Sequence, residues 1–114
     1  MAGQAPTITG DGRQTRDFLF IDDAVDAFAR AAQRGAGLVV NVGTGVQMAI
    51  RDLAQIVVAA APNALHPVRV PARADEVVRF AVSPVRARIH LAWAPWTTLE
   101  DGIRQTLEWL NDQT

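Results

Sequence analysis

Apolar positions recur along this chain in two rhythms, and together they predict short strands alternating with amphipathic helices. Residues 1–6 read as a flexible leader that ends at Pro6. Thr7-Ile8-Thr9 is a β-branched run stopped by Gly10, the pattern of an edge strand. Phe18 to Ile21 is apolar and bounded by Asp17 and Asp22, compatible with a strand or with the lead-in to a helix. Beyond it Val25, Phe28, Ala29 and Ala32 share one helical face, with Asp23 as the expected N-cap and Gly35 as the expected stop. Ala24, Ala27 and Ala31 keep the flanks of that helix small, which suits packing on two sides.

Leu38 to Val42 is continuously apolar apart from Asn41 and predicts a buried strand, ending in the turn Gly43-Thr44-Gly45. A second amphipathic helix is expected from Ile50 to Ala61, with Ile50, Leu53, Ile56, Val57 and Ala60 on its apolar face and Pro62 ending it. Ala49 offers this helix no capping side chain. Val68-Arg69-Val70 alternates like an exposed strand, residues 71–76 form a charged turn, and Val77 to Val82 is a strand or an extended loop. Ser83-Pro84 opens a short helix that runs to about Leu91, and Thr98 with Asp101 opens a last one from Leu99 to about Asn111. Leu99, Ile103, Leu107 and Leu110 form its apolar face. Trp93 and Trp96 flank Pro95 between these helices, where hinge packing is favoured over a ligand platform.

At 114 residues the chain has room for one modest core, so the fold class expected is α/β or α+β, with three to four helices and a few short strands but no complete Rossmann domain. A net charge of −1 gives no general attraction to nucleic acid or acidic membranes. All 11 basic residues are arginine, and tyrosine and cysteine are also absent, so Schiff-base and thiolate chemistry have no residues to use. His66 and His90 stand alone, without metal-ligand spacing. No run is long and apolar enough for a membrane span, and the cysteine-free composition fits a cytoplasmic protein. Gly43-x-Gly45 lacks the third glycine of a dinucleotide loop, because position 48 is Met, and reads better as a tight turn.

The candidate chemistry lies in the polar turn before the first helix. Arg13 and Arg16 present planar forks of donors suited to phosphate or carboxylate, against the alternative of a solvated turn. The ordered set Gly10-Asp-Gly-Arg-Gln-Thr-Arg-Asp-Phe-Leu-Phe-Ile-Asp-Asp23, Asn41-Val-Gly-Thr-Gly45, Ile50-Arg-Asp-Leu-Ala54, Arg73-Ala-Asp-Glu76, Leu91-Ala-Trp93 and Leu99-Glu-Asp-Gly102 resembles the C-terminal third of the NAD-dependent nucleotide-sugar epimerase/dehydratase family. These are extended short-chain dehydrogenases, and UDP-glucose 4-epimerase is the most similar type. The resemblance covers residues 7–110 and implies that residues 7–114 form a nucleotide-sugar-binding region.

It implies that Arg16 and Arg73 contact the diphosphate, that Phe18 lines the site, that Ile50 lies against the base, and that Glu76 holds the ribose hydroxyls. The chain departs from the family pattern at three places: Ala74-Asp75 within the arginine turn, Ala49 before Ile50, and Ala92 in Leu-Ala-Trp, the last a mild change. The family's Tyr-x-x-x-Lys pair has no counterpart in a chain without Tyr or Lys, and no cofactor site is expected here; NAD belongs to a complete enzyme. The expected partners are therefore a weakly bound nucleotide sugar and a missing NAD-binding half or a second copy. A non-catalytic interaction protein and a degenerate remnant are the alternatives.

Overall fold

The computed structural model describes residues 3–114. Its elements are β1 (Thr7–Thr9), β2 (Thr15–Arg16), α1 (Ile21–Ala31), β3 (Met48–Ala49), α2 (Ile50–Ala60), β4 (Val68–Val70), α3 (Val85–Leu91) and α4 (Leu99–Asp112). This is the expected class, with four helices and a few short strands. β1 pairs in parallel with β4, Ile8 opposite Arg69, and β2 pairs antiparallel with β3, Arg16 opposite Met48. Of the expected leader, residues 1 and 2 lie outside the described residues, and the Pro6 carbonyl accepts from Val68 N–H at 2.9 Å, extending the β1–β4 ladder.

Local rules account for much of this. Thr98 caps α4 by accepting from Asp101 N–H at 3.2 Å, as its spacing predicts. α2 has no capping side chain at Ala49, and the main chain supplies the acceptors instead: Ile50 N–H donates to Gln14 O and Arg51 N–H to Gly12 O, each at 2.9 Å. The polar turn is thereby fastened to the start of α2. α3 starts at Val85, one residue later than the Ser83-Pro84 pattern implies, with Ser83 Oγ accepting from Val85 N–H at 3.4 Å.

Three expectations are corrected, the cap and the stop of α1 and the strand at Leu38 to Val42. Asp23 does not cap α1: Phe20 holds that position, and Asp23 lies inside the helix, fully buried. Its carboxylate accepts from Trp96 N–H, Thr97 N–H and the Thr97 hydroxyl, so it fixes the chain between α3 and α4. α1 ends at Ala31, before Gly35. Val25 and Phe28 are 56% and 78% exposed, and the face of α1 that is buried carries Asp23 and Ala27. Leu38 to Val42 belongs to no strand among the described residues, and Val39 is 81% exposed. An apolar run reports the environment a segment suits and does not by itself provide a strand to pair with.

The core is small: Ala27, Ala87, Leu91 and Trp93, with Leu19, Val40 and Val42 packed on it. Trp93 is 1% exposed and its indole N–H donates to Asp23 O at 2.8 Å, which bears out hinge packing for this tryptophan; Trp96 is exposed. Leu99, Ile103 and Leu107 of α4 are half-buried, Leu110 is exposed, and Gly102 is the buried residue, set against the Phe20 ring. The molecule is a slab of 45 × 37 × 18 Å with a radius of gyration of 16.4 Å, where a compact chain of this length has about 13 Å. Its accessible surface is 7975 Å², against roughly 6,100 Å² for a typical monomer of its mass.

Candidate functional site

The polar turn between β1 and α1 is organised around two carboxylates. Asp17 faces inward and accepts from Thr44 N–H, the Thr44 hydroxyl, Gly45 N–H and Val82 N–H. Burial by itself raises its pKa, but these four donors outweigh burial and hold the carboxyl below its ordinary value. Gly43 is required for the approach, because a Cβ there would stand 2.8 Å from Val82 Cβ and 2.9 Å from Asp17 Oδ2. The Thr44 and Gly45 amides of the turn are thus spent on an internal anion. That turn does not fit a dinucleotide phosphate, and the tight-turn reading of it stands.

The second carboxylate, Glu76, faces a cavity of about 240 Å³ lined by Arg16, Arg73, Asp75, Glu76 and Val77. Arg16 is braced there. Its Nη1 donates to the carbonyls of Thr15 and Val77, each at 2.7 Å, and its Nη2 stands 3.6 Å from Glu76 Oε1. A guanidinium carries five N–H donors, so Nε and part of Nη2 stay available to an incoming anion. Arg73 is more exposed and lies 3.7 Å from Asp75, a surface pair that holds it weakly. Glu76 Oε2 accepts from the Thr9 hydroxyl at 3.0 Å and Oε1 from Gln14 Nε2 at 3.2 Å.

The fold therefore brings Arg16 together with the turn that carries Arg73 and Glu76, which is far from it in sequence. Phe18 and Ile50 are not part of this cavity. Phe18 lines two other cavities of about 340 Å³ each, one between α2 and α4 and one beside Thr44, Met48 and Trp96. Ile50 is half-buried at the start of α2. Arg13 points to solvent and pairs with Asp11 at 3.6 Å, which leaves Arg16 as the arginine of the corner. Sequence reasoning missed Thr9, Gln14 and Asp17. The one signal was the polarity of Gln14 and Asp17 next to an apolar run, which does not say what they bind.

Ala92, read from sequence as a mild change, is not mild in its backbone. It closes α3 at φ 50° and ψ 38°, the left-handed region, where a Cβ is strained. Among the described residues no group of three or more His, Cys, Asp or Glu is placed to hold a metal, and no helix is long and apolar enough to cross a membrane.

Comparison with known proteins matches this architecture to whole enzymes. The chain is 38% identical over 115 aligned residues to UDP-glucose 4-epimerase of Mycolicibacterium smegmatis, covering 100% of this chain and 37% of that protein. The crystal structure of UDP-glucose 4-epimerase with UDP-glucose from Thermotoga maritima superposes with a TM-score of 0.92 at 30% identity, over 97% of this chain and 36% of that one. An NAD-dependent NDP-hexosamine 5,6-dehydratase involved in tunicamycin biosynthesis superposes with a TM-score of 0.84 at 32% identity, over 95% of this chain and 35% of that one. The chain thus spans about a third of the length of these relatives. With the GDP-mannose 4,6 dehydratase family model matching residues 1–106, the chain belongs to that family of extended short-chain dehydrogenases.

Proposed function

We propose that this chain is the nucleotide-sugar-binding portion of an NAD-dependent epimerase or dehydratase, without catalysis of its own. The observation that carries this reading is the shared cavity of Arg16, Arg73 and Glu76. In it the Arg16 fork, with Arg73 beside it, neutralises a diphosphate, and Glu76 accepts from ribose hydroxyls. Ile50, whose N–H is bonded to Gln14, serves as the apolar neighbour of the base, and Phe18, which lines the adjoining cavity beside Thr44 and Met48, as an aromatic wall of the larger site. At about 240 Å³ the cavity is smaller than the ~300–1,000 Å³ of complete small-molecule sites, as suits one wall of a larger pocket.

A half-site loses the enclosure that gives affinity, so binding by the chain alone is weak, on the order of millimolar. Hydride transfer requires a held nicotinamide and a proton donor beside the sugar hydroxyl, and a chain with no Tyr and no Lys has no Tyr-x-x-x-Lys pair to supply the latter. Calorimetry or ligand-observed NMR with UDP and dTDP tests the reading. Saturable binding supports it; a folded chain that binds neither at millimolar concentration refutes it.

A second reading is favoured by a separate observation. Ile21, Val25 and Phe28 of α1 and Val39 nearby in sequence are more than half exposed, and the total surface exceeds that of a typical monomer by roughly 1,900 Å², the size of a standard interface. The chain in this reading is an association module, joined to an NAD-binding half or to a second copy. Light scattering after size exclusion tests it: a monomer at all concentrations, also when mixed with a glycine-loop half of a related enzyme, counts against it.

A further inference from the structure

Gln14 is 9% exposed, and nothing in the sequence marks it as functional. Its Nε2 has three acceptors around it: Thr9 O at 3.0 Å, Thr9 Oγ1 at 3.3 Å and Glu76 Oε1 at 3.2 Å. Because two of these, a carbonyl and a carboxylate, only accept, the amide orientation is determined by chemistry. Thr9 in turn donates its hydroxyl to Glu76 Oε2 at 3.0 Å. Each oxygen of Glu76 is thereby held by one neutral donor from behind, at sequence separations of 62 and 67 residues. The Gln14 main-chain carbonyl is itself fixed, accepting from Ile50 N–H at 2.9 Å.

We infer that Gln14 is a positioning residue that presents Glu76 as a two-oxygen acceptor for the vicinal hydroxyls of a ribonucleoside diphosphate, so that Gln14 determines discrimination between ribose and 2′-deoxyribose. The inference rests on the nucleotide reading above and adds to it the residue through which the sugar is read. The chemistry favours an amide in this place. Neutral hydrogen-bond donors on both oxygens leave the carboxylate charged, and with Arg16 Nη2 at 3.6 Å from Oε1, beyond hydrogen-bond distance, each oxygen keeps acceptor capacity for a diol. A cation in the place of Gln14 would neutralise the acid, and an apolar residue would free it to swing toward Arg16, whose Nη2 is 3.6 Å away. A swing of that kind removes the diol acceptor and blocks the anion donors together.

The test compares three probes on the full chain by NMR titration: UDP, 2′-deoxy-UDP and inorganic pyrophosphate. The wild-type chain is expected to bind UDP more tightly than 2′-deoxy-UDP, by about tenfold, one hydrogen bond to a charged acceptor. Gln14→Leu brings the ratio of the two nucleotides to about one. Thr9→Val, which removes the other donor and keeps the side-chain shape, lowers the same ratio and serves if Gln14→Leu does not fold. A folded variant that weakens UDP and 2′-deoxy-UDP by the same factor overturns the inference, since a merely structural residue acts on both alike. A wild-type chain that binds pyrophosphate and both nucleotides equally also overturns it, while leaving the anion site intact. If no probe binds the folded wild-type chain, the nucleotide reading fails and the inference falls with it.

Discussion

Asp17→Asn tests whether the Asp17 carboxylate ties the turn to the Thr44-Gly45 and Val82 segments or merely faces solvent. The wild-type carboxylate gathers three main-chain amides and one hydroxyl, from Thr44, Gly45 and Val82, on two segments that have no other tie to the Arg16-Asp17-Phe18 stretch through side-chain hydrogen bonds. Hydrogen bonds to a charged acceptor are worth about 1.5–3 kcal/mol each in favourable settings. Asparagine keeps the shape and, with its carbonyl oxygen in the place of Oδ2, still accepts from the Thr44, Gly45 and Val82 amides, so what is lost is the Thr44 hydroxyl's charged acceptor and the charge that strengthens the other three bonds about twofold. Discounted for the partial solvent access of this half-buried site, the expected cost is about 3 kcal/mol, a large part of the ~5–15 kcal/mol of a typical domain. For a chain of 114 residues this lowers Tm by roughly 12 °C.

The pH dependence carries a sign. The Asp17 pKa is lowered on folding, because the hydrogen bonds from Thr44, Val82 and Gly45 outweigh burial, so its contribution is fully present above the unfolded value of about 3.9. It is lost as pH falls through the folded value. Urea unfolding of wild type and Asp17→Asn should show the full gap at neutral pH and a closing gap below about pH 4. A neutral-pH gap below about 0.5 kcal/mol, the usual scatter of surface substitutions, or one that does not narrow on acidification, refutes the reasoning.

Other predictions follow from single observations. Ala92→Gly relieves a left-handed alanine at φ 50° and should stabilise the chain by about 1 kcal/mol, raising Tm by roughly 4 °C; an unchanged or lower Tm contradicts the strain assignment. Arg16→Ala should cost UDP and pyrophosphate at least about tenfold in affinity while the chain stays folded by circular dichroism. If affinity survives and stability falls instead, the Thr15 and Val77 bonds of Arg16 are its whole role. Phe28→Glu, at a side chain 78% exposed, should leave Tm within a few degrees yet abolish any concentration-dependent association seen by light scattering. A dimer that persists in this variant places the interface elsewhere.

What the sequence made legible was set by how far each residue's reason lies along the chain. α4 was readable because Thr98 and Asp101 are three residues apart and the cap is local. β1 and β4 were readable as β-branched runs, although nothing local said that Thr7 would pair with Val68. Asp23 was misread because a helix-cap pattern is a local signal, whereas its hydrogen bonds go to Trp96 and Thr97, 73 and 74 residues on. The apolar run at Leu38 to Val42 was misread as a buried strand: an apolar run does not say whether a neighbouring strand is there to pair with it, and among the described residues these positions form none, with Val39 exposed while Val40 and Val42 pack on the core. The site divides in the same way. Arg16, Arg73 and Glu76 came from a family resemblance and proved to share a cavity, while Gln14 and Thr9, whose partner Glu76 lies more than sixty residues away, carried no signal of their own.

The central claim is that the corner where Arg16 meets Glu76 is one wall of a nucleotide-sugar site. Its most direct test is a titration of the isotope-labelled chain with UDP, followed amide by amide. The account predicts saturable shifts concentrated at Thr9, Gln14, Thr15, Arg16 and the stretch from Arg73 to Val77, with the exposed face of α1 unaffected and the response lost in Arg16→Ala. Shifts confined to α1 and to Leu38–Val42, or none at millimolar UDP from a folded chain, would contradict it.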